Sequence, residues 1–133
     1  LGDVYKRQAM NDVTRTVLIV EDDPLLLMLL AEYLQGEGYH VLQADCATDA
    51  FAILATKPHL DLLITDFRLP DGVSGVRIAE PALLLRPDLK VIFISGHPAE
   101  VRETGSALLD SAPLLSKPFT LETLSTRIAH LLD

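Results

Sequence analysis

Four apolar runs in this 133-residue chain end in residues with chemistry of their own. Val17–Val20 runs into Glu21-Asp22-Asp23, and Leu62–Ile64 into Thr65-Asp66. Val91–Ile94 runs into Ser95-Gly96, and Leu114-Leu115-Ser116 into Lys117-Pro118-Phe119. Short apolar runs bounded by turn residues suit strands buried on both faces. If these strands are parallel neighbours, their carboxyl ends lie on one edge, where open α/β sheets place their sites. A carboxylate cluster, a hydroxyl and a lysine would then converge. Two like charges about 4 Å apart repel by roughly 4 kcal/mol at an effective dielectric near 20. A cluster of carboxylates there is therefore costly without a cation. Each fragment alone has a plainer reading: a helix-start acidic cluster, a turn serine, a solvated loop lysine. Their joint occurrence is what argues for a site.

The elements that would position these residues alternate along the chain. Thr16–Val20 is β-branched and apolar and reads as a first strand. Asp23 and Pro24 suit the cap and first position of a helix running to about Gln35, with Gly36 and Gly38 as stop signals. The early turns of this helix are apolar nearly all round. That pattern predicts burial against the sheet, with docking of a partner helix as the alternative. His40–Ala44 reads as a second strand. Asp45 is the expected cap of a helix to about Thr56 that turns Ala47, Ala50, Phe51 and Leu54 to one face. Leu60–Thr65 reads as the third strand, with Asp66 at its end and a Pro70-Asp71-Gly72 turn beyond. A helix over roughly 74–86 contains Pro81, which predicts a kink or a restart there. Lys90–Ile94 and Leu114–Ser116 read as further strands, residues 98–110 as a poorly patterned stretch. Thr120 caps a last helix with Leu121, Leu124, Ile128 and Leu131 at helical spacing. Strands alternating with helices imply a parallel sheet covered on both faces.

Composition narrows the function classes. A hydrophobic content of 49% supports a filled core, and the length fits one domain. The formal net charge of -8 argues against holding nucleic acid phosphates and suits a cation site. A single cysteine, Cys46, forms no internal disulfide and fits a reducing compartment, so a cytoplasmic location is expected. No window approaches the roughly 18 apolar residues of a membrane span. Residues 1–9 fit no element and read as a non-native or disordered leader before Met10, leaving 10–133 as the domain. The four histidines are scattered without metal-ligand spacing. No P-loop, dinucleotide fingerprint or nucleophile elbow occurs.

Taken together, Val-Glu21-Asp22-Asp-Pro, Thr-Asp66-Phe-Arg-Leu-Pro-Asp-Gly, Ile-Ser95-Gly-His and Ser-Lys117-Pro118-Phe119 resemble the receiver domain of two-component response regulators over nearly all of 16–132. The resemblance implies a flavodoxin-like, doubly wound sheet of five parallel strands in order 2-1-3-4-5. It implies that Asp66 accepts a phosphoryl group from a histidine kinase or a histidine phosphotransfer protein. Glu21, Asp22, Asp66 and the backbone carbonyl of Arg68 would hold Mg²⁺. Ser95 would be the switch hydroxyl, Lys117 the phosphate-binding lysine, and the Lys117-Pro118 bond cis. Such a domain phosphorylates itself and slowly loses the phosphate, but is not a turnover enzyme.

Two positions depart from the family pattern. Leu114 stands where an aromatic switch residue is common, which removes an aromatic toggle. Arg68 follows the acceptor by two residues and is expected to shield the acyl phosphate. Arg68 also counts against a haloacid-dehalogenase-like phosphatase, which needs a second Asp there. A pseudo-receiver that never takes phosphate is the other alternative. The chain's end at Asp133 suggests a stand-alone receiver or one cut from a hybrid kinase or larger regulator. Output through an unknown protein partner, by the face built from 98–132, is expected, with a homodimer as one form.

Overall fold

The computed structural model describes residues 14–97, Ala99 and 112–133. Five strands form one parallel sheet: β1 (Thr16–Val20), β2 (His40–Ala44), β3 (Leu62–Asp66), β4 (Lys90–Ser95) and β5 (Leu114–Ser116). Their order is β2-β1-β3-β4-β5, as expected. Four helices cover the sheet among the described residues: α1 (Pro24–Gly36), α2 (Ala47–Ala55), α3 (Gly75–Leu85) and α4 (Leu121–Leu132). None is long and apolar enough to cross a membrane. The leader at 1–9 and most of the stretch at 98–110 lie outside the described residues.

The sheet is buried on both faces because its central strands are mostly apolar, with Thr16 in β1 and Thr65 and Asp66 in β3 the polar exceptions. β1 and β3 are buried throughout. Alternate side chains feed two cores. Leu18, Val20, Leu63 and Phe93 pack with α2 and α3, while Val17, Ile19, Leu62, Ile64, Ile92 and Ile94 pack with α1 and α4. Each fully buried Leu or Ile contributes about 1.5–3 kcal/mol relative to exposure. Phe67, just past β3, meets Phe93 edge to face, with ring centroids 6.4 Å apart.

Several local expectations need correction. Cys46, rather than Asp45, is the N-cap of α2, and it makes no side-chain cap bond. Phe51 is 40% exposed, because α2 needs only Ala47, Ala50 and Leu54 to close its side of the core. α3 continues through Pro81 and does not restart there. α1 buries Leu30, Ala31 and Leu34, whereas Leu25, Met28 and Leu29 remain exposed.

Candidate functional site

The strand order reverses at β1, which pairs with β2 on one side and β3 on the other. A crevice at the carboxyl ends follows from such a reversal. Glu21 and Asp22 leave β1 into this crevice, and Asp66 is the last residue of β3. Asp23 then turns the chain into α1, its carboxylate accepting from the Leu25 and Leu26 N–H groups at 3.0 and 3.4 Å. This cap explains why Asp23, though adjacent, does not join the cluster. Its oxygen is committed to the helix end.

Glu21, Asp22 and Asp66 each offer a carboxylate oxygen, and these oxygens lie within 4.8 Å of one another. Glu21 is fully buried and Asp66 is 3% exposed, while Asp22 faces solvent. The Asp22 N–H donates to Asp66 Oδ2 at 3.3 Å, and the Asp23 N–H to Glu21 Oε2 at 3.2 Å. Lys117, carried just past β5, places Nζ 3.0 Å from Glu21 Oε1 and 3.3 Å from Asp66 Oδ1. These are ion-pair distances without hydrogen-bond geometry. Glu21 Oε1 and Asp66 Oδ1 are buried and accept no hydrogen bond.

The charges are mutually adjusted. Burial, reinforced by Glu21 and Asp22, pushes the Asp66 carboxyl up to about 9, with Lys117 opposing. Hydrogen bonding to Asp66 holds Asp22 below the ordinary carboxylate range. Burial alone would lower Lys117, but the facing carboxylates of Glu21 and Asp66 outweigh it and raise its pKa. Two buried oxygens without donors, aimed at one point beside a third carboxylate, fit a hard divalent cation. Mg²⁺ takes oxygen ligands and is commonly held by one or two carboxylates plus water.

The remaining predicted residues frame this cluster. The Phe67 N–H donates to Ile94 O at 2.8 Å, which ties the backbone beyond Asp66 to the strand carrying Ser95. Ser95 is buried, and its hydroxyl accepts from the His97 N–H at 2.9 Å, so it is turned into its own loop. The Lys117 N–H reaches Ser95 O at 2.8 Å, linking β5 to the same edge. The Lys117-Pro118 bond is cis. Arg68 is exposed and bridges to Ser74 across the loop that follows β3. Gly72 carries a φ of 78°, which the tight turn in that loop requires and a side chain would strain. His97 lies exposed beside Ser95, and the other histidines take no part.

Sequence reasoning passed over Thr65. It is fully buried, and its hydroxyl donates to the Asp66 carbonyl at 2.9 Å. A hydroxyl in an otherwise apolar strand next to the acidic residue was the available signal. It also passed over the groove of about 430 Å³ beside Lys117, lined by Asp23, Leu25, Leu26, Leu29, Pro118 and Phe119. Only the fold brings the start of α1 to the residues that follow β5.

Comparison with known proteins agrees with this geometry. A family model described as the response regulator receiver domain matches residues 17–129. The response regulator receiver protein CpdR of Brucella abortus is 35% identical over 118 residues, covering 89% of this chain and 97% of that protein. The chain spans about half the length of several other curated relatives it matches. A response regulator receiver protein from Sinorhizobium medicae superposes with a TM-score of 0.80 at 25% identity, over 90% of this chain and 94% of that one. The response regulator TrrA of Thermotoga maritima, solved with Mg²⁺ and BeF, superposes with a TM-score of 0.76 at 28% identity, over 90% of this chain and all of that one.

Proposed function

The chain belongs to the response regulator receiver domain family of two-component signalling, and on that premise we propose that Asp66 accepts a phosphoryl group from a phosphohistidine donor. The observation that carries the reading is the pair of buried, donor-free oxygens on Glu21 and Asp66 facing Lys117. Mg²⁺ held by Glu21, Asp22, Asp66 and the Arg68 carbonyl would supply the charge compensation that lets Asp66 ionise and an anionic phosphoryl group approach.

The chain's own groups do the rest. An Asp66 carboxylate oxygen attacks phosphorus as a nucleophile. One P–O bond forms to Asp66 and the P–N bond to the donor imidazole breaks. The bonding electrons stay on the imidazole nitrogen, which then takes a proton. Lys117 places a point charge against the phosphoryl oxygens in place of its present ion pairs. Ser95 exchanges its contact with the His97 N–H for one to a phosphoryl oxygen. That movement shifts a two-state surface and turns local charge into a signal. The domain is its own acceptor and so turns over no external substrate.

The exposed Leu25, Met28 and Leu29 and the apolar groove beside Lys117 support α1 as the dock for a helix of the kinase or phosphotransfer partner. The groove opens next to the acceptor, where a donor histidine must arrive. Output runs through a protein partner, by the side of the molecule that includes β5 and α4.

The test is intact mass after incubation with acetyl phosphate and Mg²⁺. The wild type should gain one phosphoryl group, and Asp66→Asn and a chelator-treated sample should gain none. A folded wild type that gains none would instead favour a pseudo-receiver working by contact alone.

A further inference from the structure

The chemistry at the sheet edge leaves one buried polar group without a role. Thr65 lies in register between Val20 of β1 and Phe93 of β4, in a strand otherwise filled by Leu62, Leu63 and Ile64 up to Asp66. A valine has nearly the same shape and no hydroxyl to desolvate. An unpaired hydroxyl at such a place destabilises the fold. This one is paired, and its acceptor is the carbonyl of Asp66 at 2.9 Å.

That carbonyl begins a tightly held stretch of backbone. The N–H of the same peptide unit, on Phe67, donates to Ile94 O at 2.8 Å. The Phe67 carbonyl accepts from the Gly75 N–H at 2.7 Å. A Cβ on Gly75 would collide with the Asp66 carbonyl oxygen and press on Thr65 Cγ2 and Oγ1 at 3.0 and 3.1 Å. Glycine therefore lets the start of α3 close directly over the Thr65–Asp66 contact. On the far side of Asp66, the side chain takes the Asp22 N–H at Oδ2. The peptide unit after Asp66 is bonded at both ends, and the only side chain that bonds its oxygen among the described contacts is Thr65.

We propose that Thr65 is a positioning residue: its hydroxyl locks the Asp66–Phe67 peptide plane, and through it the direction of the Asp66 carboxylate and of the backbone leading to Arg68. The proposal rests on the reading of Asp66 as cation ligand and acceptor. Releasing that peptide plane redirects the backbone leading to Arg68 and lets the Asp66 backbone shift with its carboxylate relative to Glu21 and Asp22, whose own backbone is anchored separately through the Glu21 N–H to Ala44 O bond at 3.0 Å. Ligand groups carried on two strands keep their spacing only if both backbones are fixed. Outer residues that orient metal ligands are commonly worth 10- to 100-fold in affinity or activity.

The experiment compares wild type, Thr65→Val and Thr65→Ser for Mg²⁺ affinity by titration calorimetry, for the rate of phosphate adduct formation at saturating Mg²⁺ and acetyl phosphate, and for Tm. Thr65→Val should bind Mg²⁺ about 10-fold more weakly and form the adduct about 10-fold more slowly. Thr65→Ser, which keeps the hydroxyl, should recover both to within about 3-fold even where its Tm falls below that of Thr65→Val, since serine lacks the methyl that packs in the core. Rates that track Tm across the three proteins would overturn the proposal, as would wild-type Mg²⁺ affinity in Thr65→Val. A wild type that binds Mg²⁺ but takes no phosphate would sink the acceptor reading alone, and the affinities would still decide the role of Thr65. A wild type that binds no Mg²⁺ would overturn both.

Discussion

Strand β3 is flanked by two aspartates that resemble each other in sequence and differ in every physical respect. Asp61 stands just before its amino end. One carboxylate oxygen accepts from the Thr16 N–H at 2.8 Å and the other meets His59 Nε2 at 3.1 Å. Its backbone joins the same knot: the Asp61 N–H donates to Thr16 O, and Asp61 O accepts from the Lys90 N–H. Asp66, at the carboxyl end, is more deeply buried and worse supplied. Oδ1 accepts no hydrogen bond, Lys117 Nζ stands 3.3 Å from it as an ion pair only, and two further carboxylates crowd the same place. A carboxylate whose partners are all present holds structure together. One that is buried among like charges with an oxygen unmet is kept for something that arrives later. The type of residue and its place at a strand end distinguish nothing. The inventory of partners does.

Removing each carboxylate in turn should separate the two ends. Asp66→Asn should abolish phosphate uptake outright and, without Mg²⁺, make the protein more stable at neutral pH by about 1–3 kcal/mol, because Asn can be buried neutral without taking up a proton on folding. The pH dependence follows from the same group. The Asp66 pKa is raised above its unfolded value, so its favourable contribution is full below about pH 4 and is lost as pH rises through about 9. Melting curves in chelator at pH 5, 7 and 9 should therefore show the gap between Asp66→Asn and wild type widening with pH. A constant gap would mean that Asp66 is not buried in the manner described.

Asp61→Ala should do the opposite. It strands the Thr16 N–H and should destabilise the fold by about 1–3 kcal/mol, with Mg²⁺ affinity unchanged. Urea unfolding and calorimetric titration of the same sample would check both halves. A loss of Mg²⁺ affinity there would erase the distinction between the two ends.

Lys117→Met gives the smallest and most discriminating effect. Lys117 occupies the position of a counter-ion to Glu21 and Asp66, so its removal should let Mg²⁺ bind about 3- to 10-fold more tightly, while adduct formation slows. Weaker Mg²⁺ binding would show that the lysine organises the carboxylates rather than competing for them.

Much of this was legible from the chain alone, because it depends on neighbours in sequence. The strands at 16–20, 40–44 and 114–116 coincide with the apolar runs that announced them. Asp23 and Thr120 cap their helices with side-chain oxygens, as their positions ahead of helical patterns suggested, while Ser74, read as the first residue of its helix, turns out to be its cap. Glu21, Asp22, Asp66, Ser95 and Lys117 stand at or just past strand ends, as expected, since an abrupt change from apolar to polar is itself a local signal. Thr65 was missed for the complementary reason. In sequence it reads as one more β-branched strand residue, and its hydroxyl acquires meaning only when its acceptor is known.

What the tertiary structure alone decided concerns contacts between distant segments. Lys117 reaches Glu21 across most of the chain, and nothing near either residue announces the distance between them. The exposure of Leu25, Met28, Leu29 and Phe51 depends on what the fold sets opposite α1 and α2. Periodicity says which face of a helix is apolar, but burial is settled by what lies opposite. The same holds for charge: three carboxylates and a lysine can be counted in the sequence, but their pKa values follow from distance and burial, which only folding sets.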